Sequence, residues 1–125
     1  GAMDMTVDYL KQRKQFGKLI GEFQALQHRA AHLYSEVEIA RAVTIKAAQL
    51  LDGGSEKAEL MASVAKAKVA KAAGLAVREG VQMHGGIGMT DEYDIGLYMK
   101  RDRALQEFLG DQYYHAGRVA ELSGY

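Results

Sequence analysis

The helical pattern of this chain is interrupted by one stretch, Gln82-Met83-His84-Gly85-Gly86-Ile87-Gly88-Met89-Thr90-Asp91-Glu92-Tyr93. Its three glycines fall within four positions, directly after a strongly helical run. Glycine adopts positive φ without strain, ends helices and lets a ligand approach the backbone closely. The stretch is therefore predicted to end a helix in a turn that can contact an anion or a cofactor. It is not a dinucleotide fingerprint, because that motif follows a strand and opens a helix.

Two long helices are predicted before this turn. Apolar residues recur at spacings of three and four from Gln24 to Leu51, and mostly small ones do so over 56–84. Between them, Asp52-Gly53-Gly54-Ser55 predicts a turn in which Ser55 can cap the second helix. Two long helices joined by a short loop form an αα-hairpin. Neither helix can bury its apolar stripe alone, so further helices must cover them.

Those further helices are predicted on both sides of the hairpin. Residues 4–12 are typical of the last turns of a helix, and Gly17 is predicted to be a helix stop. Tyr93–Phe108 and Gln112–Leu122 predict two more helices. The chain contains no proline, and β-branched residues are sparse outside Val43-Thr44-Ile45, so a sheet is not expected. The predicted fold is an all-α, up-and-down four-helix bundle.

Composition limits the classes of function. The 125 residues suffice for one domain, and the formal net charge of +0 favours neither nucleic acid nor an anionic membrane as a partner. There is no cysteine, which excludes disulfides and thiolate chemistry. No apolar run is long enough to cross a membrane. Gly1-Ala2-Met3 resembles an expression-tag scar, so we assign the bundle to residues 4–125.

Two clusters of polar side chains are candidate sites. His28, His32 and Glu36 have the spacing of a helical metal pair, but the apolar face of that helix lies elsewhere, so we interpret them as a polar stripe and expect no metal. Arg13 and neighbouring lysines surround Phe16, an arrangement that suits a phosphate beside a flat ring. The alternative is a solvated basic loop in which Phe16 fills the core. Arg101-Asp102-Arg103 is interpreted as a structural cluster of ion pairs with neighbouring helices.

Two longer motifs resemble one family. The first is Tyr9-x-x-x-Arg13-Lys14-Gln15-Phe16-Gly17-Lys18-x-Ile20-x-x-Phe23-Gln24-x-x-Gln27. The second is Gln82-Met83-His84-Gly85-Gly86-Ile87-Gly88-Met89-Thr90-x-Glu92-Tyr93, followed by Lys100-Arg101-Asp102. Their order and separation resemble the acyl-CoA dehydrogenase family. The resemblance covers essentially the whole chain and corresponds to the C-terminal helical domain only, without the N-terminal helical and middle β-domains.

The resemblance implies a flavoprotein that oxidises an acyl-CoA thioester to the 2,3-enoyl-CoA. In that family a carboxylate removes the α-proton, FAD takes the β-hydride, and an electron-transfer flavoprotein reoxidises the flavin. The C-terminal bundle forms much of a dimer or tetramer interface. By this resemblance Arg13 contacts FAD pyrophosphate across a subunit boundary, Phe16 packs near the cofactor, and Gln82 and Gly86 contact the adenosine end of a neighbour's FAD.

One departure from the family pattern concerns catalysis. Many members carry the catalytic Glu after the Arg-Asp helix, and the matching position here is Gly110, followed by Asp111. We therefore assign no catalytic residue and expect the isolated chain not to catalyse dehydrogenation. The parent protein would use another base or be a non-catalytic partner subunit, and the alternative is a non-enzymatic helical oligomerisation module. The expected location is the bacterial cytoplasm, with mitochondria as the alternative.

Overall fold

The computed structural model describes all residues from 1 to 125 and is built almost entirely of helices. The helices are α1 (Ala2–Gln12), α2 (Gln24–Asp52), α3 (Ala58–His84), α4 (Ile95–Glu107) and α5 (Gln112–Leu122). The other elements are two short strands, β1 (Lys14–Gln15) and β2 (Lys18–Leu19), and 3₁₀ turns at Ile20–Glu22 and Gly85–Met89. The predicted all-α bundle is confirmed. No helix is long and apolar enough to cross a membrane.

Helix α3 is the central element, and α1, α2, α4 and α5 all pack against it. It runs antiparallel to α2, because Arg29 pairs with Glu79 at 2.6 Å while Glu36 pairs with Lys68 at 2.7 Å. Small residues buried along α3 let its neighbours approach closely. At Gly80 an added Cβ would lie 2.6 Å from Ile95 Cδ1, so α4 crosses α3 at van der Waals contact there.

The hydrophobic core lies where α1, α2 and α3 meet. Its buried members are Tyr9, Leu10, Ile20, Leu33, Ala76 and Met83. They come from the end of α1, the 3₁₀ turn after the hairpin, the first half of α2 and the last turns of α3. The core therefore holds both sequence motifs in place, because Tyr9, Leu10 and Ile20 belong to the first motif and Met83 to the second.

The segment between α1 and α2 differs from the prediction. Helix α1 ends at Gln12, so Gly17 is not its stop, and a small antiparallel hairpin pairs Lys14 with Leu19. Phe16 and Gly17 have φ values of 54° and 80°, as the two central residues of a type I′ turn require. The expectation of no sheet is wrong here, because a strand of two residues needs no β-branched run when a tight turn joins it to its partner.

The turn between α2 and α3 is confirmed, but its cap is not. Helix α3 begins at Ala58, and the residue in the capping position is Lys57, which offers no side-chain acceptor. The Ser55 hydroxyl instead accepts a hydrogen bond from the Lys57 N–H at 3.3 Å. Ser55 therefore stabilises the turn itself rather than the first turn of the helix.

Candidate functional site

Three aromatic rings join the two sequence motifs in the interior. Tyr9 stacks on His84 with ring centroids 4.4 Å apart and planes 24° apart. Tyr93 packs edge-on against both rings, at 5.3 Å from Tyr9 and 5.2 Å from His84. Tyr9 belongs to the first motif, and the other two open and close the turn in the second. We call these three residues the aromatic cluster.

The hairpin presents a cation beside an exposed ring. The Arg13 guanidinium is exposed and makes no ion pair or hydrogen bond within the chain, while the Phe16 side chain at the hairpin tip is 89% exposed. The Phe16 ring lies edge-on to Phe23 at 6.1 Å, and Lys18 Nζ lies 4.3 Å from the centre of the Phe23 ring. The alternative in which Phe16 fills the core is therefore wrong. The hairpin can bind an anionic group and an aromatic ring at once.

The glycine turn presents its backbone to solvent. Gly85 ends α3 with φ 68°, and Gly86 is exposed with no atom within 4 Å of an added Cβ. Gly88 packs back on the last turn of α3, where an added Cβ would lie 2.9 Å from His84 Cβ. The Gln82 amide is exposed and makes no hydrogen bond within the chain. Both Gln82 and Gly86 can therefore contact a molecule outside the bundle.

The four residues proposed for the cofactor, Arg13, Phe16, Gln82 and Gly86, all lie on the surface. The structure joins their two segments indirectly, through the aromatic cluster. Sequence reasoning gave no role to Tyr9, His84 or Tyr93. The available signal was that each motif carries an aromatic or imidazole side chain beside an element boundary, but their mutual stacking depends on the tertiary fold.

His84 is the most buried polar side chain in this region, with 4% of its surface exposed. Its Nδ1 lies 2.7 Å from the Gly80 carbonyl, which can only accept, so the proton resides on Nδ1. Nε2 is buried and has no hydrogen-bond partner within the chain. The imidazole is therefore held here by its stacking on Tyr9 and by the Gly80 hydrogen bond.

The position of the usual family base is closed by local packing. Gly110 has φ 97°, and a Cβ added at this position would clash with Cδ1 of the Tyr114 ring. The adjacent Asp111 has a structural role, because its Oδ1 accepts from the backbone N–H groups of Tyr113 and Tyr114 at 3.0 and 2.8 Å. Asp111 is therefore the N-cap of α5.

A largely apolar groove of about 1260 Å³ runs beside this loop and is lined by all five helices. Exposed side chains from the end of α4 and the loop contribute to the lining, among them Leu105, Phe108 and Leu109. His115 also lines the groove, and its Nε2 donates to the Leu109 carbonyl at 2.9 Å. The loop is thus held in place by Asp111 and His115 rather than by a side chain at Gly110.

The remaining charged candidates have structural partners. Glu36 accepts from Lys68, which holds the pKa of this carboxyl below its usual value, and no group of three or more potential ligands lies close enough to hold a metal. Asp102 accepts from Gln106 at 2.6 Å, yet burial raises the pKa of Asp102. Arg103 pairs with Glu107 of its own helix at 3.6 Å, whereas the charge of Arg78 on α3 acts on Asp102, so the predicted cluster is present only in part.

The comparisons with known proteins agree with this architecture. The family model described as acyl-CoA dehydrogenase, C-terminal domain, matches residues 1–123. Acyl-CoA dehydrogenase IpdE2 of Mycolicibacterium smegmatis is 43% identical over 108 residues, covering 86% of this chain and 33% of that protein. The mitochondrial short/branched chain specific acyl-CoA dehydrogenase of Bos taurus is 39% identical over 100 residues, covering 80% of this chain and 23% of that protein.

Solved structures give the same result. Butyryl-CoA dehydrogenase from Megasphaera elsdenii superposes with a TM-score of 0.92 at 29% identity, covering 98% of this chain and 32% of that one. The FAD complex of PigA superposes with a TM-score of 0.92 at 25% identity, again covering 98% and 32%. The chain thus spans between 23% and 33% of the lengths of these four proteins. Fold, motifs and matches together establish that the chain belongs to the acyl-CoA dehydrogenase family, as its C-terminal helical domain.

Proposed function

We propose that this chain is the FAD-contacting and oligomerisation domain of a flavoprotein that dehydrogenates acyl-CoA thioesters between the α and β carbons. The observation that carries the proposal is the pair of exposed edges: Arg13 with Phe16 on the hairpin, and Gln82 with Gly86 at the glycine turn. One buried cluster of rings joins the segments that bear them. A long dinucleotide that bridges subunits can use both edges.

The residues at the two edges fit the chemistry of FAD. An unpaired guanidinium can donate two parallel hydrogen bonds to a pyrophosphate. The exposed Phe16 ring offers an apolar surface to a flat ring system. The Gln82 amide can both donate to and accept from an adenosine, and Gly86 leaves its backbone free of any Cβ obstruction. When bound, FAD supplies the hydride acceptor, while these four residues only bind and orient it.

The position that matches the usual family base supplies no carboxylate. Gly110 carries no side chain, and Oδ1 of the adjacent Asp111 accepts from two backbone N–H groups. We therefore propose that the isolated chain does not dehydrogenate acyl-CoA. Acyl-CoA and an electron-transfer flavoprotein would be partners of the larger protein. One of the matched solved structures is described as an electron-transferring flavoprotein, which supports that partner class. The bacterial cytoplasm remains our expected location.

Homo-oligomerisation is the second part of the proposal. Large apolar side chains are exposed on several helices, including Tyr34, Ile45 and Leu51 on α2 and Leu97 on α4. We propose that these side chains are buried against other copies of the chain. By the family resemblance, the hairpin of one copy would contact the cofactor of another. The expected state in solution is a dimer or a tetramer.

Flavin titration tests the cofactor role. We expect the chain to bind FAD saturably, measured by quenching of flavin fluorescence and by calorimetry. Arg13→Ala should weaken binding about tenfold or more, because it removes charge-assisted hydrogen bonds. Lys14→Ala is the matched control, since it removes an equally exposed positive charge next in the chain. If the two substitutions weaken binding equally, Arg13 acts only through its positive charge, and the proposed specific contact is contradicted.

The second candidate is a helical oligomerisation module or partner subunit that does not itself bind flavin. The exposed apolar side chains favour it as much as they favour a flavoprotein domain. Light scattering combined with flavin absorbance separates the two: a colourless dimer supports the module, and a yellow one supports the cofactor role. A monodisperse monomer would contradict both. Formation of enoyl-CoA by the purified chain with FAD and an artificial acceptor would refute the proposed lack of activity.

A further inference from the structure

The hairpin edge and the glycine-turn edge are connected through the interior by hydrogen bonds and packed side chains. On one side, the backbone N–H of Arg13 donates to the carbonyl of Tyr9 at 2.9 Å, and the Arg13 carbonyl accepts from Ile20 at 2.9 Å. The position of the hairpin base is therefore fixed relative to Tyr9. The Tyr9 side chain is only 8% exposed, so its ring cannot move without disturbing the core.

On the other side, His84 is the last residue of α3 and the first support of the glycine turn. Its Nδ1 is bonded to Gly80 one helical turn earlier, and Gly88 packs on its Cβ. A shift of the imidazole would therefore shift the turn that carries Gly86 as well as the end of the helix that carries Gln82. The stacking of Tyr9 on His84 at 4.4 Å is the direct contact between these two systems.

Tyr93 completes the contact from the far end of the turn. It packs edge-on against both stacked rings, so the segment that follows the glycines is held by the same cluster. Aromatic pairs of this geometry contribute about 0.5–1.5 kcal/mol beyond their buried area. Because the buried His84 Nε2 makes no hydrogen bond, aromatic packing and the single Gly80 bond hold the imidazole in place.

We propose that Tyr9, His84 and Tyr93 are positioning residues that couple the hairpin edge to the glycine-turn edge, so that ordering one edge orders the other. The coupling would serve to present Arg13 and Gln82 to one cofactor in a fixed relative geometry, and this role rests on the proposed function. The coupling itself does not require a cofactor, because it depends only on contacts within the chain. Two elements share one packed cluster, and a disturbance on either side is transmitted by contact.

Hydrogen exchange of the full chain without cofactor tests the coupling. His84→Leu, on the turn side, is expected to accelerate exchange of the Arg13 and Ile20 amides. The factor of acceleration at these two amides should be about ten times the factor at the slowest core amides. Tyr9→Leu, on the hairpin side, should likewise accelerate the Thr90 amide, which donates to Ile87 at 3.1 Å in the turn. Tyr9→Phe keeps the stacked ring and should leave both edges protected.

Val77→Ala is the matched control, because Val77 is buried in α3 outside the cluster. It should lower the overall stability and accelerate all globally protected amides alike. If His84→Leu accelerates the hairpin amides no more than Val77→Ala does, the residues are ordinary core residues and the coupling is refuted. His84→Phe provides a second variant that retains a ring if His84→Leu does not fold.

A cofactor arm separates the coupling from the proposed function. If the chain binds FAD, His84→Leu should weaken that binding about tenfold while leaving all four proposed contact residues in place. Unchanged FAD affinity would overturn the positioning role. If the wild-type chain binds no FAD, the proposed function fails, and the exchange experiment still decides whether the two edges are coupled.

Discussion

The ring of Tyr114 occupies the space in which a side chain at Gly110 would begin. Gly110 also has φ 97°, a conformation that side-chain-bearing residues adopt only with strain. Gly110→Glu therefore requires the Tyr114 ring to move and places a side chain on a strained backbone. We expect this substitution to destabilise the chain by about 1–3 kcal/mol, measured by urea denaturation. Gly110→Ala should cost a similar amount, because both the clash and the strain begin at Cβ. A stable Gly110→Glu chain would contradict the rigid loop described above.

Gly80 tests the close packing of α3 between α1 and α4. An added Cβ would lie 2.6 Å from Ile95 Cδ1 and 3.0 Å from Thr6 Oγ1. We expect Gly80→Ala to destabilise the chain by about 1–3 kcal/mol because the core is overpacked. Gly117→Ala in α5 is the control, since nothing lies within 4 Å of its added Cβ. Alanine has the higher helix propensity, so Gly117→Ala should instead stabilise by about 0.5–1 kcal/mol in thermal denaturation. A stabilising Gly80→Ala would show that α4 can move away from α3.

Glu36 is expected to make the free energy of unfolding fall as the pH is lowered into the acidic range. Its hydrogen bond from Lys68 lowers the pKa of Glu36 in the folded state. The resulting stabilisation is present above the pKa of an unfolded glutamate, about 4.3, and is lost as pH falls through the lower folded pKa. The urea midpoint of the wild-type chain should therefore fall more steeply between about pH 5 and pH 3 than that of Glu36→Gln. If the urea midpoints of the two chains change in parallel with pH, Glu36 does not contribute to the acid dependence of stability.

Asp102 should act in the opposite direction. Burial raises the pKa of Asp102, even though Gln106 donates to it and Arg78 lies nearby. The folded chain then holds this proton more tightly than the unfolded chain does, so stability decreases as pH rises from the unfolded toward the folded pKa. Asp102→Asn removes the buried charge and keeps an acceptor for Gln106, so it should raise the melting temperature at pH 7. Asp8→Asn, at an exposed position of α1, is the control and should change little. A lower melting temperature for Asp102→Asn would mean that the charge itself is stabilising.

The helices could be predicted from the sequence because each carries its own local signals. Gln112–Leu122 has the predicted bounds, since Asp111 caps its start and the Ser-Gly pair follows its end. The start of α2 at Gln24 also agrees, whereas its end lies one residue later than predicted. Long periodic segments with few β-branched residues leave little choice of local structure. The family resemblance added the two motifs, which periodicity alone could not interpret.

The errors arose where short-range signals are weak. The hairpin was missed because Phe16 adopts positive φ, which the turn requires and which a phenylalanine in a sequence does not indicate. Ser55 was assigned to the wrong role because a hydroxyl can serve a turn as well as a helix start. The aromatic cluster could not be derived, because Tyr9 and His84 lie far apart in the chain and only the tertiary fold brings them together.

Helix α5 has no fully buried residue, whereas α3 is buried on several sides. Local opening requires the least free energy where few apolar contacts are lost. Detachment of α5, which breaks the contact of Arg118 with Glu59, would expose no fully buried side chain of α5 itself. That motion would widen the apolar groove, which α5 helps to line, while leaving the hairpin and the glycine turn intact.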